Sequence, residues 1–179
     1  MKTLFLATLL LFSKTYQEDN PKKVSIDLFP QNYQETILTN LNGQTLKFSD
    51  AREKVIFVNF WQSLWGPCRD EIPSLGILAK KLENEKNIVF IFISDENPQK
   101  LREVLKNRKD EWQNFYTITS GSTLPMLERR LVPTTYIFER DNKSGNKYIG
   151  GFNWDTKEMI DALTEFAKEK PAPWGGFLY

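Results

Sequence analysis

The chain has 179 residues, of which 24 are Lys or Arg and 23 Asp or Glu, for a formal net charge of +1. That balance gives no electrostatic argument for nucleic acid or an acidic membrane surface, and 40% hydrophobic with 26% charged residues suits one ordinary core plus appendages. There is no histidine and a single cysteine, which removes the commonest general base and excludes an intrachain disulfide and a thiolate metal cluster; no metal or other cofactor is indicated.

Lys2 precedes the apolar run "LFLATLLLF", Leu4 to Phe12, which has the length of a signal-peptide core and is too short to span a bilayer. The order of charge then apolar run reads as an export signal over residues 1–17. The bland alternative is a stray apolar segment, since "SKTYQEDNP" lacks a clean pair of small residues for cleavage. No cysteine follows the run, so no lipid anchor is expected, nor a transmembrane anchor beyond the signal itself. Residues 18–30 read as a solvated connector, and residues 31–170 as the folded domain.

"ILTNLNGQTLKFS", 37 to 49, holds two short alternating runs around Asn42-Gly43, the strongest short hairpin signal. "KVIFVNFW", 54 to 61, is continuously apolar and reads as a central strand buried on both faces. A helix is expected from about Pro67 to Asn84, with Ile72, Leu75, Leu78, Ala79 and Leu82 on one face and a kink at Pro73. "NIVFIFIS", 87 to 94, is a second buried strand. "NPQKLREVLKNRKDEW" reads as a helix opening at Asn97-Pro98. "LPMLERRL" is a short helical segment, and "TTYIFER" and "NKYIGGF" are strands joined by "DNKSGN". In "DTKEMIDALTEFAKEK" Asp155 and Glu158 have capping-box spacing, with Met159, Ile160, Leu163 and Phe166 as the apolar stripe. The tail "PAPWGGFLY", 171–179, is expected to pack back on the domain. The order requires an α/β sandwich with a parallel crossover early and an antiparallel pair late.

The hairpin, Asn59-Phe60-Trp61, Gly66-Pro67-Cys68, Glu71 followed by Pro73, and Val132-Pro133-Thr134-Thr135 occur in an order that resembles the thioredoxin superfamily. The closer likeness is to exported thiol–disulfide oxidoreductases of the TlpA/ResA type, over roughly Ile37 to Lys168. The resemblance implies a thioredoxin-like three-layer sandwich, a mixed sheet flanked by helices with an N-terminal hairpin extension, in a periplasmic or other extracytoplasmic location.

The family pattern at the site is Trp-x-x-Trp-Cys-Gly-Pro-Cys, whereas this chain reads Trp61-Gln62-Ser63-Leu64-Trp65-Gly66-Pro67-Cys68. Trp65 thus holds the place of the first cysteine. In a Cys-x-x-Cys site that first sulfur is the nucleophile, its thiolate favoured by unpaired N–H groups at the helix head. The second lies about a turn deeper and resolves the mixed disulfide. Cys68 keeps only the second role. The resemblance also implies that Glu71 assists proton movement on that thiol; its plainer reading is a solvated first-turn acid. It implies a cis peptide before Pro133, facing Trp65, Gly66 and Pro67, with the Val132 backbone pairing to substrate. Trp65 itself is either a drifted residue packed over the former cleft or an exposed anchor for a partner.

Three functions follow. One is a binding module without dithiol chemistry that takes a polypeptide or protein partner in the Val132-Pro133 groove. The second is a single-thiol redox enzyme using Cys68, although peroxidases of this fold place threonine where Trp65 stands. The third is an ordinary thiol–disulfide oxidoreductase whose first cysteine is missing from this sequence.

Overall fold

The computed structural model describes residues 22–26, 35–121, 131–140 and 145–170. The continuous apolar run becomes β4 (Val55–Phe60), every residue of it buried, and "IVFIFI" becomes β5 (Ile88–Ile93) beside it. The two are parallel, with Val55 opposite Ile88 and Phe60 opposite Ile93. A parallel pair needs a crossover, and α1 (Gly66–Lys81) supplies it.

On the other side of β4 runs β7 (Thr134–Phe138), antiparallel, followed by β8 (Gly145–Ile149) in a late hairpin. The remaining strands extend both edges: β1 (Lys22–Ile26) pairs with β8, and β6 (Phe115–Ile118) joins β5 to β2 (Ile37–Asn40) and β3 (Thr45–Lys47). The sheet order is β1-β8-β7-β4-β5-β6-β2-β3.

Period-two alternation divides the strand side chains between two faces. Val55, Phe57, Phe90 and Phe92 share one cluster with Ile72, Leu75 and Leu78 of α1, Leu101 of α2 (Pro98–Val104), and Leu163 and Ala167 of α3 (Lys157–Lys168). Ile56, Val58, Ile91, Ile93 and Tyr136 form the opposite cluster with Phe48 and Ala51 of a 3-10 turn (Phe48–Ala51). Phe57 is the hub of the first face: its ring meets Trp154 edge-on at 5.0 Å and lies 5.5 Å from Phe90. Each such side chain removed from water contributes about 1.5–3 kcal/mol before the entropy of ordering it is deducted.

Several local expectations are corrected. The hairpin turns through three residues, Leu41-Asn42-Gly43, and only Gly43 has positive φ (86°). Asn40 organises it, its Oδ1 accepting from the N–H groups of Asn42 and Gln44 at 3.1 and 2.9 Å. Its side chain so replaces the two-residue turn that Asn-Gly alone suggests. The helix at Asn97-Pro98 has the expected start, with Asn97 Oδ1 accepting from Gln99 N–H, but it stops at Val104. Trp112 Nε1 donates to the Leu105 carbonyl at 3.1 Å, and a separate 3-10 segment (Lys109–Asn114) follows. Thr156, not Asp155, caps α3, its hydroxyl accepting from Met159 N–H at 3.3 Å. α1 holds Pro73 inside it, as expected, but ends at Lys81 and not at Asn84. β1 lies within the stretch read as connector, and β6 was not anticipated. The expected signal segment, residues 124–130 of the expected short helix, most of the 141–146 turn, and the tail lie outside the described residues.

Candidate functional site

β4 ends at Phe60, and the chain must turn sharply to enter α1. Trp61 N–H donates to the Ile93 carbonyl at 3.0 Å, which carries the strand one residue further. The loop is then held by Glu96: its carboxylate accepts from Ser63 N–H at 2.6 Å and Ser63 Oγ at 2.7 Å, and pairs with Lys100 at 2.6 Å. Burial raises the Glu96 pKa, but the Lys100 and Ser63 contacts outweigh it and hold the carboxyl below its ordinary value. The result is a rigid platform at the head of α1.

Trp65 is the residue before the helix, extended at φ −90° and ψ 119°, with no side-chain cap. Pro67 fits the first turn because its missing N–H would have no helical partner there. Trp65 is 52% exposed and its neighbour Leu64 78%. One turn in, Cys68 is fully buried. That burial pushes its thiol up to about 11; a hydrogen bond with the Gln62 backbone opposes the rise, while the charges of Glu71 and Glu96 add to it. At neutral pH Cys68 is a protonated, enclosed thiol and a poor nucleophile.

Glu71 is no solvated acid. It is 2% exposed, on the buried side of α1, and sits inside a polar network. Asn59 Nδ2 donates to Oε1 at 2.8 Å, while Trp154 Nε1 and Phe152 N–H donate to Oε2 at 3.0 and 3.3 Å. Desolvation is the largest influence and lifts the carboxyl to about 7 against the pull of those three donors. Asn59 also donates to Thr135 Oγ1 at 2.9 Å, across the β4–β7 pair, and its Oδ1 is buried without a hydrogen bond. Ser74 Oγ donates to the Glu71 carbonyl at 2.8 Å and accepts from Trp154 N–H at 3.1 Å, closing the network.

The Val132–Pro133 peptide is cis. The Pro133 carbonyl accepts from Gly150 N–H at 2.9 Å, and the next residue, Gly151, lies so close to α1 that a Cβ there would stand 3.1 Å from the Pro67 carbonyl oxygen. Val132 lines a small cleft with Phe60, Trp61, Gln62, Ile93, Asp95 and Ile118. Leu131, half-exposed, precedes it. The sheet thus brings Trp65, Gly66, Pro67 and Cys68 to the same end as Val132 and Pro133, with Glu71 behind them.

Sequence reasoning gave no site role to Asn59 and Thr135, although both stand in its motifs, and missed Ser63, Ser74, Glu96 and Trp154. One signal was available: Asn59 is the only polar residue in "VIFVNF", a strand buried on both faces, and a buried amide requires partners. Among the described residues no group of three His, Cys, Asp or Glu is placed to hold a metal ion, and no helix is long and apolar enough to cross a membrane.

A mixed sheet, a Gly-Pro-Cys helix head and a cis-proline beside it define the thioredoxin fold of the thiol–disulfide oxidoreductase type. Residues 31–148 match the AhpC/TSA family, and the chain belongs to that family. It is 31% identical over 151 residues to the thioredoxin-like protein YneN of Bacillus subtilis, covering 83% of this chain and 85% of that one. It is 24% identical over 132 residues to the thiol-disulfide oxidoreductase ResA of Bacillus cereus, 72% of each chain. Among solved structures, a DsbF homologue from Corynebacterium diphtheriae superposes with a TM-score of 0.57 at 17% identity, covering 82% of this chain and 96% of that one.

Proposed function

We propose that this chain is an exported thioredoxin-fold protein that has given up dithiol exchange and uses the Val132-Pro133 groove to bind an extended polypeptide or partner protein. One observation carries the reading: the only thiol, Cys68, is fully buried, while the position at the helix head is a half-exposed tryptophan. A dithiol cycle needs an exposed thiolate to attack and a second sulfur to resolve; the attacking sulfur is missing here, which leaves Cys68 no mixed disulfide to resolve. An exposed indole beside Leu64 offers instead a rigid apolar anchor, the side-chain type that dominates binding energy at protein interfaces. The relatives named ResA are called thiol-disulfide oxidoreductases, and the substrate groove of such an enzyme is the feature proposed to persist here.

Two measurements test this. Dithiothreitol should reduce a disulfide substrate such as insulin no faster with the protein than without, and at neutral pH Cys68 should label with a thiol reagent far more slowly in the native protein than after denaturation. A clear catalytic rate, or rapid labelling of the native protein, sinks the proposal in favour of a redox enzyme. Binding of an unfolded, reduced polypeptide should fall about ten-fold or more in Trp65→Ala; unchanged binding would remove Trp65 from the site.

A further inference from the structure

The chain leaves β5 through Ser94-Asp95-Glu96, and the two acids take different parts there. Ser94 N–H donates to the Tyr116 carbonyl at 3.1 Å, and Ser94 Oγ accepts from Glu96 N–H at 3.3 Å. This turn commits Glu96 to Ser63 and to the ion pair with Lys100. Asp95 is left over. It is exposed, no hydrogen bond or ion pair joins its carboxylate to a described residue, and it stands in the lining of the cleft beside Val132.

That cleft lies past the carboxyl ends of three parallel strands, β4, β5 and β6. Phe60, Ile93, Ile118 and Val132 make an apolar wall beside Trp61, and Gln62 and Asp95 add polar groups. Among the described residues no lysine or arginine lines it. Next to it Leu64, Trp65 and Leu131 are exposed apolar side chains. An apolar wall that ends in an unpaired carboxylate is the complement of a side chain with an alkyl stem and a cationic head. An aliphatic residue in that place would bring Asp95 no partner, and an acidic one would meet like charge.

We infer that the polypeptide taken by this groove carries a lysine or arginine, its stem along Ile93, Ile118 and Val132 and its cation on Asp95, next to an apolar residue that packs on Trp65 and Leu131. The inference rests on the groove reading under Proposed function and adds the sequence class of the partner. The test is an array of short immobilised peptides tiled across several unfolded proteins, probed with the parent chain, Asp95→Asn and Asp95→Lys. Peptides held by the parent should be enriched in Lys or Arg next to an apolar residue. Asp95→Asn should abolish that enrichment, and Asp95→Lys should turn it toward Asp and Glu. Asp50→Asn makes the same change of net charge before the start of β4, at the other end of the sheet, and should leave the enrichment intact. In solution, a selected peptide should bind Asp95→Asn about five-fold more weakly than the parent at low salt, and the gap should close as added salt screens it. Bound peptides without a basic bias, or a bias that survives Asp95→Asn, overturn this inference and leave the groove reading in place. Binding of no peptide at all overturns the groove reading, and this inference with it. Sedimentation of the parent alone should give a monomer; a dimer that Trp65→Ala dissolves would make a second copy of this chain the occupant and overturn the inference as well.

Discussion

Glu71→Gln keeps the shape of a buried side chain and removes its charge, which makes the pH dependence of stability a direct reading of the site. Glu71 has its carboxyl lifted from the ordinary 4.5 to about 7, first by desolvation. The sign follows from which state holds the proton. Between those two pH values the folded protein keeps the proton and the unfolded chain releases it, so rising pH favours unfolding. Below 4.5 both states are protonated, and above about 7 both are ionised, so this contribution is flat outside the window. At about 1.4 kcal/mol per pH unit, the gap is worth about 3 kcal/mol. The stability of Glu71→Gln minus that of the parent should therefore rise by about 3 kcal/mol in the variant's favour from pH 4 to pH 8. Asn59 can accommodate the new amide: a half-turn of its own side chain presents the unpaired Oδ1 to a donor at Oε1 of residue 71. Urea unfolding of both proteins at each pH unit from 4 to 8 measures the difference, and other titrating groups cancel in it. A difference that stays constant across that range, or moves in the parent's favour, refutes the claim that Glu71 is buried against the cost of its charge.

Cys68 should betray its raised pKa in labelling kinetics: the native rate should still climb about ten-fold per pH unit at pH 10, where the urea-unfolded chain has levelled off. A native plateau below pH 9 would contradict its enclosure. Trp65→Cys should place a second sulfur one turn from Cys68 and form a disulfide under mild oxidation, provided the Cβ atoms stand about 3.5–4.5 Å apart; mass spectrometry locates the bridge, and two free thiols under oxidant would show that the helix head has diverged. Gly151→Ala should destabilise the protein by about 1–3 kcal/mol, since its Cβ would press on the Pro67 carbonyl, which is backbone and cannot swing aside. Unchanged chemical denaturation would disprove that contact.

What could be read in advance follows from which residues carry strong local signals. β4 and β5 have no polar residue but Asn59 and so announce themselves as buried strands, and the crossover between them must be helical. Gly66-Pro67-Cys68 and Val132-Pro133 carry strong local signals through their prolines, and they mark the same end of the sheet. β6 was illegible because "FYTI" is four residues following a polar stretch; it is a strand because β2, about eighty positions earlier, lies alongside it. α2 was read too long because Trp112 continues the apolar period of the helix, yet its indole turns back to cap the Leu105 carbonyl. The state of Glu71 was illegible for a similar reason. Three of its partners are Asn59, Phe152 and Trp154, and no spacing within α1 reveals that they converge there.

The pairing of β1 with β8 sets an order on how this chain becomes a sheet. Lys22 lies opposite Ile149 and Ile26 opposite Gly145, so the first of the described strands to be synthesised has no partner until the last of them exists. β2 faces a similar wait for β6. The early chain can complete only the β2–β3 hairpin and the β4-α1-β5 unit, the latter already carrying Phe57, Leu75 and Phe92 of the core. Closing loops of this size before their contacts form is entropically costly and slows folding. The β4-α1-β5 unit is therefore the natural nucleus, and substitutions in it should slow folding, while those in β1 should mainly speed unfolding.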